Sequence, residues 1–199
     1  MRSVRDFVRA VEDHDRLKRL RGVDWDLEIG AVSALVQRRE LGSALLFDDI
    51  EGYDDGYRVL TNAIDTPLLA SLALGNEPTT DMREAVIAHK DRIEIADTEE
   101  VKTVSDGPVL ENVQEGDEVD LTGFPVPKWN EEDGGRYIGT ADLVVTRHAD
   151  SGEINAGTYR VQVHGPKTAT VYISPGKDGR RNLDSFLDQD EPVPVILSV

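Results

Sequence analysis

The chain has 199 residues, 39% of them hydrophobic, and a net charge of −17 from 22 basic and 39 acidic side chains. That length allows one large domain or two small ones around a real core, and that charge repels nucleic acid and anionic membranes, so neither is an expected partner. There is no cysteine, which excludes disulfides, thiolate catalysis and zinc-thiolate sites.

Six of the basic residues are lysine and sixteen are arginine. An acidic, lysine-poor surface suits a salt-rich cytosol, where screening makes self-repulsion tolerable; an acidic mesophilic enzyme is the other reading. No apolar run reaches the length of a membrane span. The N-terminal stretch is charged throughout and lacks the apolar core of a signal peptide. The expected location is the cytoplasm.

Ser3 is placed to cap a first helix that buries Val4, Phe7, Val8 and Val11 at helical spacing and runs out near Asp13–Asp15. The basic cluster Arg16-Leu-Lys-Arg-Leu-Arg21, closed by Gly22, reads as a solvated surface segment. A second helix is expected from Leu27 to Arg39, and Ala44-Leu-Leu-Phe47 reads as a short buried strand. Gly52-Tyr-Asp-Asp-Gly56 is a turn leading to a strand at Tyr57–Thr61. Thr66-Pro67 opens another helix, with proline in its first turn and an end near Gly75; Met82–His89 is also helical.

This alternation gives way near residue 100 to a mostly β pattern. Strands are expected at Pro108–Val113 and Glu118–Leu121, around a turn at Glu115-Gly-Asp. Thr140–Arg147 alternates as a strand, Asp150-Ser-Gly152 turns it back, and Ile154–His164 completes a hairpin with Asn155 near its mouth. Ala169–Ser174 is a further strand, Arg181–Leu187 a helix, and Pro192–Val199 the start of a buried strand. The fold class is therefore α+β: an α/β region over residues 1–110, then a β-rich domain over residues 111–199.

The most informative stretch is Asn155-Ala-Gly-Thr-Tyr-Arg-Val-Gln162. An asparagine amide oxygen can ligate a hard cation. Gly157 lets backbone approach a flat ligand, and Arg160 can hold a carboxylate or phosphate bidentately. The same octapeptide can also be read as a polar hairpin exit followed by an ordinary strand.

Its surroundings favour the chemical reading. Upstream lies Phe124-Pro-Val-Pro-Lys-Trp-Asn-Glu-Glu-Asp-Gly-Gly-Arg-Tyr-Ile-Gly-Thr140, and downstream Tyr172-Ile-Ser-Pro-Gly-Lys-Asp-Gly-Arg180. In this order and spacing the three segments resemble the UbiD family of prenylated-FMN-dependent decarboxylases and carboxylases, in the branch acting on aromatic acids. The likeness is specific over residues 120–199 and rests only on element order before that.

The resemblance implies that the second domain is a flavin-binding split β-barrel, of which this chain holds a part. It implies Asn155 as a ligand to a divalent metal, usually manganese, that bridges to the flavin phosphate, often with potassium nearby. Ala156, Gly157 and Thr158 inherit contact with the cofactor. Arg160 inherits the substrate-carboxylate clamp of a Glu–Arg–Glu constellation, Asn155 and Arg160 also count among the cofactor-binding residues, and Lys177 inherits a contact with flavin or phosphate. The family's second metal ligand, a histidine, is replaced here by Asp178, a harder ligand that adds negative charge. The family's third ligand and its catalytic glutamates fall beyond the equivalent of Val199, so a C-terminally incomplete member is expected.

In such enzymes the cofactor takes up the charge left when carbon dioxide departs, while the protein orients and protonates. The implied activity is reversible, non-oxidative decarboxylation of an aromatic or α,β-unsaturated acid. The implied partners are that acid, further copies of the chain in a homo-oligomer, and a flavin prenyltransferase that supplies the cofactor. The alternative is a non-catalytic flavin-binding or assembly subunit.

Overall fold

The computed structural model describes residues 3–95 and 103–199. The change of pattern expected near residue 100 lies outside them. Two compact units are present, Met1–Asp24 with Glu28–Asp117, and Trp25–Leu27 with Glu118–Val199.

The first unit is built on a three-stranded sheet of order β1-β2-β3, from Leu17–Leu20, Ala44–Asp48 and Arg58–Thr61. β1 and β2 are parallel, joined through helix α2 (Glu28–Arg38), and β3 returns antiparallel to β2. The basic cluster is thus a strand, and its Arg16, Lys18, Arg19 and Arg21 side chains are exposed, as expected of a solvated segment. Leu17 and Leu20 are only half-buried, and pairing with the buried β2 supplies the order that composition does not.

Helix α1 (Val4–Asp13) starts where Ser3 Oγ accepts the Asp6 N–H at 3.1 Å. It buries Phe7 and Val11 against Ala44, Leu69 and Leu72. Val4 was expected inside, but at the first helical position it is 66% exposed. Helix α3 (Pro67–Leu74) is capped by Thr66, whose hydroxyl accepts from Leu69 N–H, and it ends at Gly75 with φ 67°. Gly75 and Asn76 donate back to Leu72 and Ser71 carbonyls, the arrangement a left-handed helix end requires. Helix α4 spans Met82–Ile95.

The second unit is an antiparallel sheet of order β6-β5-β4-β7: β4 (Arg136–Arg147), β5 (Ile154–Gly165), β6 (Thr168–Val171) and β7 (Val195–Ser198), with helix α5 (Asp178–Leu187) against it. The α+β class holds. The strands expected at 108–113 and 118–121 are instead single 3₁₀ turns at Pro108–Leu110, Gly116–Glu118 and Leu121–Gly123. Val109, Leu110 and Val113 are all exposed, so that apolar alternation has no sheet to pack on. β7 was expected to be buried, and all four of its residues are exposed.

Candidate functional site

The β4–β5 hairpin sets the geometry. Its turn is held by His148, whose Nδ1 accepts the Asp150 and Ser151 N–H groups, and by Gly152 at φ 70°. The register pairs Thr146 with Asn155, Val144 with Gly157 and Asp142 with Tyr159. Side chains alternate across a strand. Residues 155, 157, 159, 161 and 163 of β5 therefore share the more buried face, while 156, 158 and 160 point outward.

Helix α5 covers the buried face through Gly179, Asn182 and Phe186. Asn182 is 1% exposed, and its amide nitrogen donates to Thr146 Oγ1 at 3.2 Å and to the Glu153 carbonyl at 3.4 Å. Ser185 accepts from Ala149 N–H. The helix is thereby fixed to the hairpin turn, with its N-terminal end over Asn155: a Cβ on Gly179 would lie 3.1 Å from Asn155 Nδ2 and 3.0 Å from the Tyr159 hydroxyl.

The sequence-derived residues divide between two faces. Asn155 and Gly157 lie on the inner one. Asn155 Nδ2 is buried without a hydrogen-bond partner, and since oxygen and nitrogen of an amide are assigned by their network, this end of the side chain is free to present either atom. Ala156, Thr158 and Arg160 lie on the outer face, exposed. Arg160 has no ion-pair partner among the described residues. Lys177 is the N-terminal flanking residue of α5 and Asp178 its first residue; both are exposed, and the Asp178 carboxylate sits 3.8 Å from Arg181. A cleft of about 690 Å³ beside α5 is lined by Lys177 and Asp178 together with His148, Asp150, Arg181 and Ser185.

One feature of β5 joins the two faces. β4 pairs with residues 154–163 along one backbone edge, whereas β6 pairs with the other edge only from Val161 to Gly165. Among the described residues, no strand covers the second edge from 154 to 160. A ligand lying along that edge meets Asn155 near one end and Arg160 near the other, roughly 17 Å apart at the rise of an extended strand.

Three residues beside the site escaped the sequence reading. The Tyr159 ring folds back over Gly157, where a Cβ would meet ring carbon Cε2 at 2.6 Å; the space above Gly157 on that face belongs to Tyr159. Asn182 carries a buried Oδ1 without a partner. Asp142 is 6% exposed, its Oδ2 is also unpartnered, and desolvation pushes its pKa up to about 6. It follows a bulge in β4 at Gly139, where any Cβ would collide with the Asp142 carboxylate. The signal was a lone aspartate on the inward phase of an otherwise Val/Thr alternation.

No group of three or more His, Cys, Asp or Glu side chains able to hold a metal occurs among the described residues. A cation site at Asn155 would rest on its amide and on oxygen donors near the start of α5. The free amide end and the uncovered β5 edge fit such a ligand set in part, with Asp178 the nearest carboxylate in sequence to Gly179.

Comparison with known proteins gives two family models. The 3-octaprenyl-4-hydroxybenzoate carboxy-lyase Rift-related domain matches residues 101–199 and the N-terminal domain of the same enzymes matches residues 8–88. A phenolic acid decarboxylase of Streptomyces sp. (strain D7) is 30% identical over 209 residues, 99% of this chain and 42% of that protein. An evolved dimeric form of the UbiD-class enzyme HmfF from Pelotomaculum thermopropionicum, solved in complex with prFMN, aligns with TM-score 0.83 and 25% identity over 99% of this chain and 44% of its own. The closed form of Sedimentibacter hydroxybenzoicus vanillic acid decarboxylase aligns with TM-score 0.90 and 24% identity, over 99% and 42%. The chain thus spans less than half the length of the relatives it matches.

Proposed function

Given that the chain belongs to the UbiD family, we propose that the protein carrying it is a carboxy-lyase that reversibly decarboxylates an aromatic or α,β-unsaturated carboxylic acid with prenylated FMN. The observation that carries this reading is the uncovered β5 edge, flanked by an unpartnered Asn155 amide and a free Arg160 guanidinium. When bound, the cofactor supplies the electron sink for the charge left by departing carbon dioxide.

This chain's residues orient and hold. Arg160 clamps the substrate carboxylate with two parallel N–H···O bonds. Asn155, by its amide oxygen, and Asp178 ligate a divalent cation, with manganese the assigned ion and potassium an accessory one. Ala156, Gly157 and Thr158 offer backbone to the flavin edge, and Lys177 a charge for its phosphate. The relatives named as phenolic and vanillic acid decarboxylases support an aromatic acid as substrate. A flavin prenyltransferase then supplies the cofactor, and the protein works as a cytoplasmic homo-oligomer. No helix among the described residues is long and apolar enough to cross a membrane.

A second reading, a non-catalytic flavin-binding or assembly subunit, is favoured by Asp178, whose carboxylate is 71% exposed and beside Arg181. The two readings part in one assay. The protein is reconstituted with prenylated FMN and manganese and given a panel of hydroxybenzoates. Enzyme predicts carbon dioxide release that falls roughly 100-fold per bound flavin in Arg160→Ala, about 2.7 kcal/mol of barrier. Flavin retention without turnover in the wild type would establish the second reading.

A further inference from the structure

The apolar stripe of α1 is wider than the core that meets it. Val4, Phe7, Val8 and Val11 fall at helical spacing along the helix. Phe7 and Val11 are buried against Ala44, Leu69 and Leu72, but Val8 is only half-buried and Val4 is exposed. Those two valines border a cleft of about 540 Å³ in the first unit, between α1 and the three-stranded sheet, a size common among small-molecule sites. Leu46 of β2 and Leu60 of β3 add apolar surface to it from the sheet.

The charge of the cleft runs against that of the chain. The chain carries −17, yet the cleft is lined by Arg5, Arg9, Arg19 and Arg58, with Glu12 as its carboxylate. Arg19 is saturated, 3.2 Å from both Glu12 and Asp48. Arg58 stands 3.9 Å from Asp48 and Arg9 3.8 Å from Asp6. Four guanidinium groups thus face three carboxylates. The unmatched one is Arg5, which has no ion-pair partner among the described residues. Arginine stems can shield apolar surface, yet beside these four Val4 remains 66% exposed.

We propose that this cleft binds an amphipathic monoanion, a carboxylic acid with an aryl or medium-chain acyl body. The body displaces water from Val4, Val8, Leu46 and Leu60, and Arg5 takes the carboxylate through two parallel N–H···O bonds. A single surplus positive charge matches a single negative one. A carboxylate carries that charge at neutral pH, whereas a phosphate monoester carries nearly two. The overall field of the chain disfavours polyanions further. The site depends on neither Arg160 nor a flavin.

The test is a calorimetric titration of octanoate into the protein carrying this chain, in an Arg160→Ala background that removes the other carboxylate clamp. Octanoate should bind, and octan-1-ol, with the same body and no charge, should bind roughly tenfold more weakly. Octyl phosphate should gain nothing over octanoate. Arg5→Gln should weaken octanoate roughly tenfold and leave octan-1-ol unchanged, a divergence that loss of folding would not produce. Val4→Glu places a like charge at the mouth and should weaken octanoate while the thermal midpoint holds, since glutamate in the first turn suits a helix N-terminus. Absence of octanoate binding, equal affinity for acid and alcohol, tighter binding of octyl phosphate, or wild-type affinity in Arg5→Gln would each overturn the proposal.

Discussion

Asp142 is the side chain whose setting is least favourable. Its carboxyl group is buried on the β4 face covered by α5, one oxygen lacks any partner, and its pKa stands at about 6 against an ordinary 3.8. Between those two values the folded chain holds a proton that the unfolded chain has lost. Stability therefore falls as pH rises through that window, and the deficit is complete above about 6. Asp142→Asn should stabilise the protein at neutral pH by on the order of 1–2 kcal/mol. This lies below the full conversion at about 1.4 kcal/mol per pKa unit, because solvent still screens part of the charge. The gain should vanish below about pH 4, where both states are protonated. Denaturant unfolding of wild type and variant across that range checks it; a pH-independent difference would show that packing, not ionisation, separates them. The sequence could reveal Asp142 as an anomaly within an alternating strand. It could not reveal the bulge at Gly139 or the burial that raises the pKa. The sequence reading took Asn155 and Arg160 as one cluster, whereas five residues along a strand put them on opposite faces. The Tyr159 ring over Gly157 was not legible, because a rotamer decides it.

Helix ends with a capping residue follow local chemistry and were readable at Ser3, Thr66 and Gly75; the end of α4 at Ile95 and the start of α5 at Asp178 were expected at His89 and Arg181. Thr66 caps α3 through its hydroxyl and Gly75 closes it in the left-handed region. Thr66→Ala should cost about 1 kcal/mol of unfolding free energy, measured by urea denaturation; Thr66→Ser should recover most of it, and equal stability of the alanine variant would deny the cap its role. Ser3, the β4–β5 hairpin and α5 were legible for similar reasons of capping and periodicity. Elements that depend on distant partners were not. β1 exists because its backbone pairs in parallel with β2, Leu17 to Ala44 through Leu20 to Phe47, and nothing within Arg16–Arg21 announces that. The reverse error fell at residues 108–121. Strand-like valines and leucines there stand among Gly107, Pro108, Gly116 and Asp120, and Asp120 turns its carboxylate onto the Thr122 N–H at 2.8 Å. Turn chemistry prevailed because, among the described residues, no neighbouring strand pairs with that backbone.

For the whole molecule, charge and site make separate claims. At −17, self-repulsion opposes the compact state and screening relieves it. The thermal midpoint should climb as KCl is raised from about 0.1 M to about 2 M, most steeply at the low end where the Debye length is still changing by several ångströms; a flat or falling midpoint would remove the argument for a salt-rich cytosol. The central claim is that the β5 edge holds a flavin and a metal through Asn155. The most direct measurement is the flavin and manganese content of the protein carrying this chain after reconstitution with prenylated FMN, by absorbance and metal analysis, for wild type and Asn155→Ala. The account predicts near-stoichiometric flavin and manganese in the wild type, with manganese largely lost and flavin reduced in the variant. Equal contents in both would contradict it.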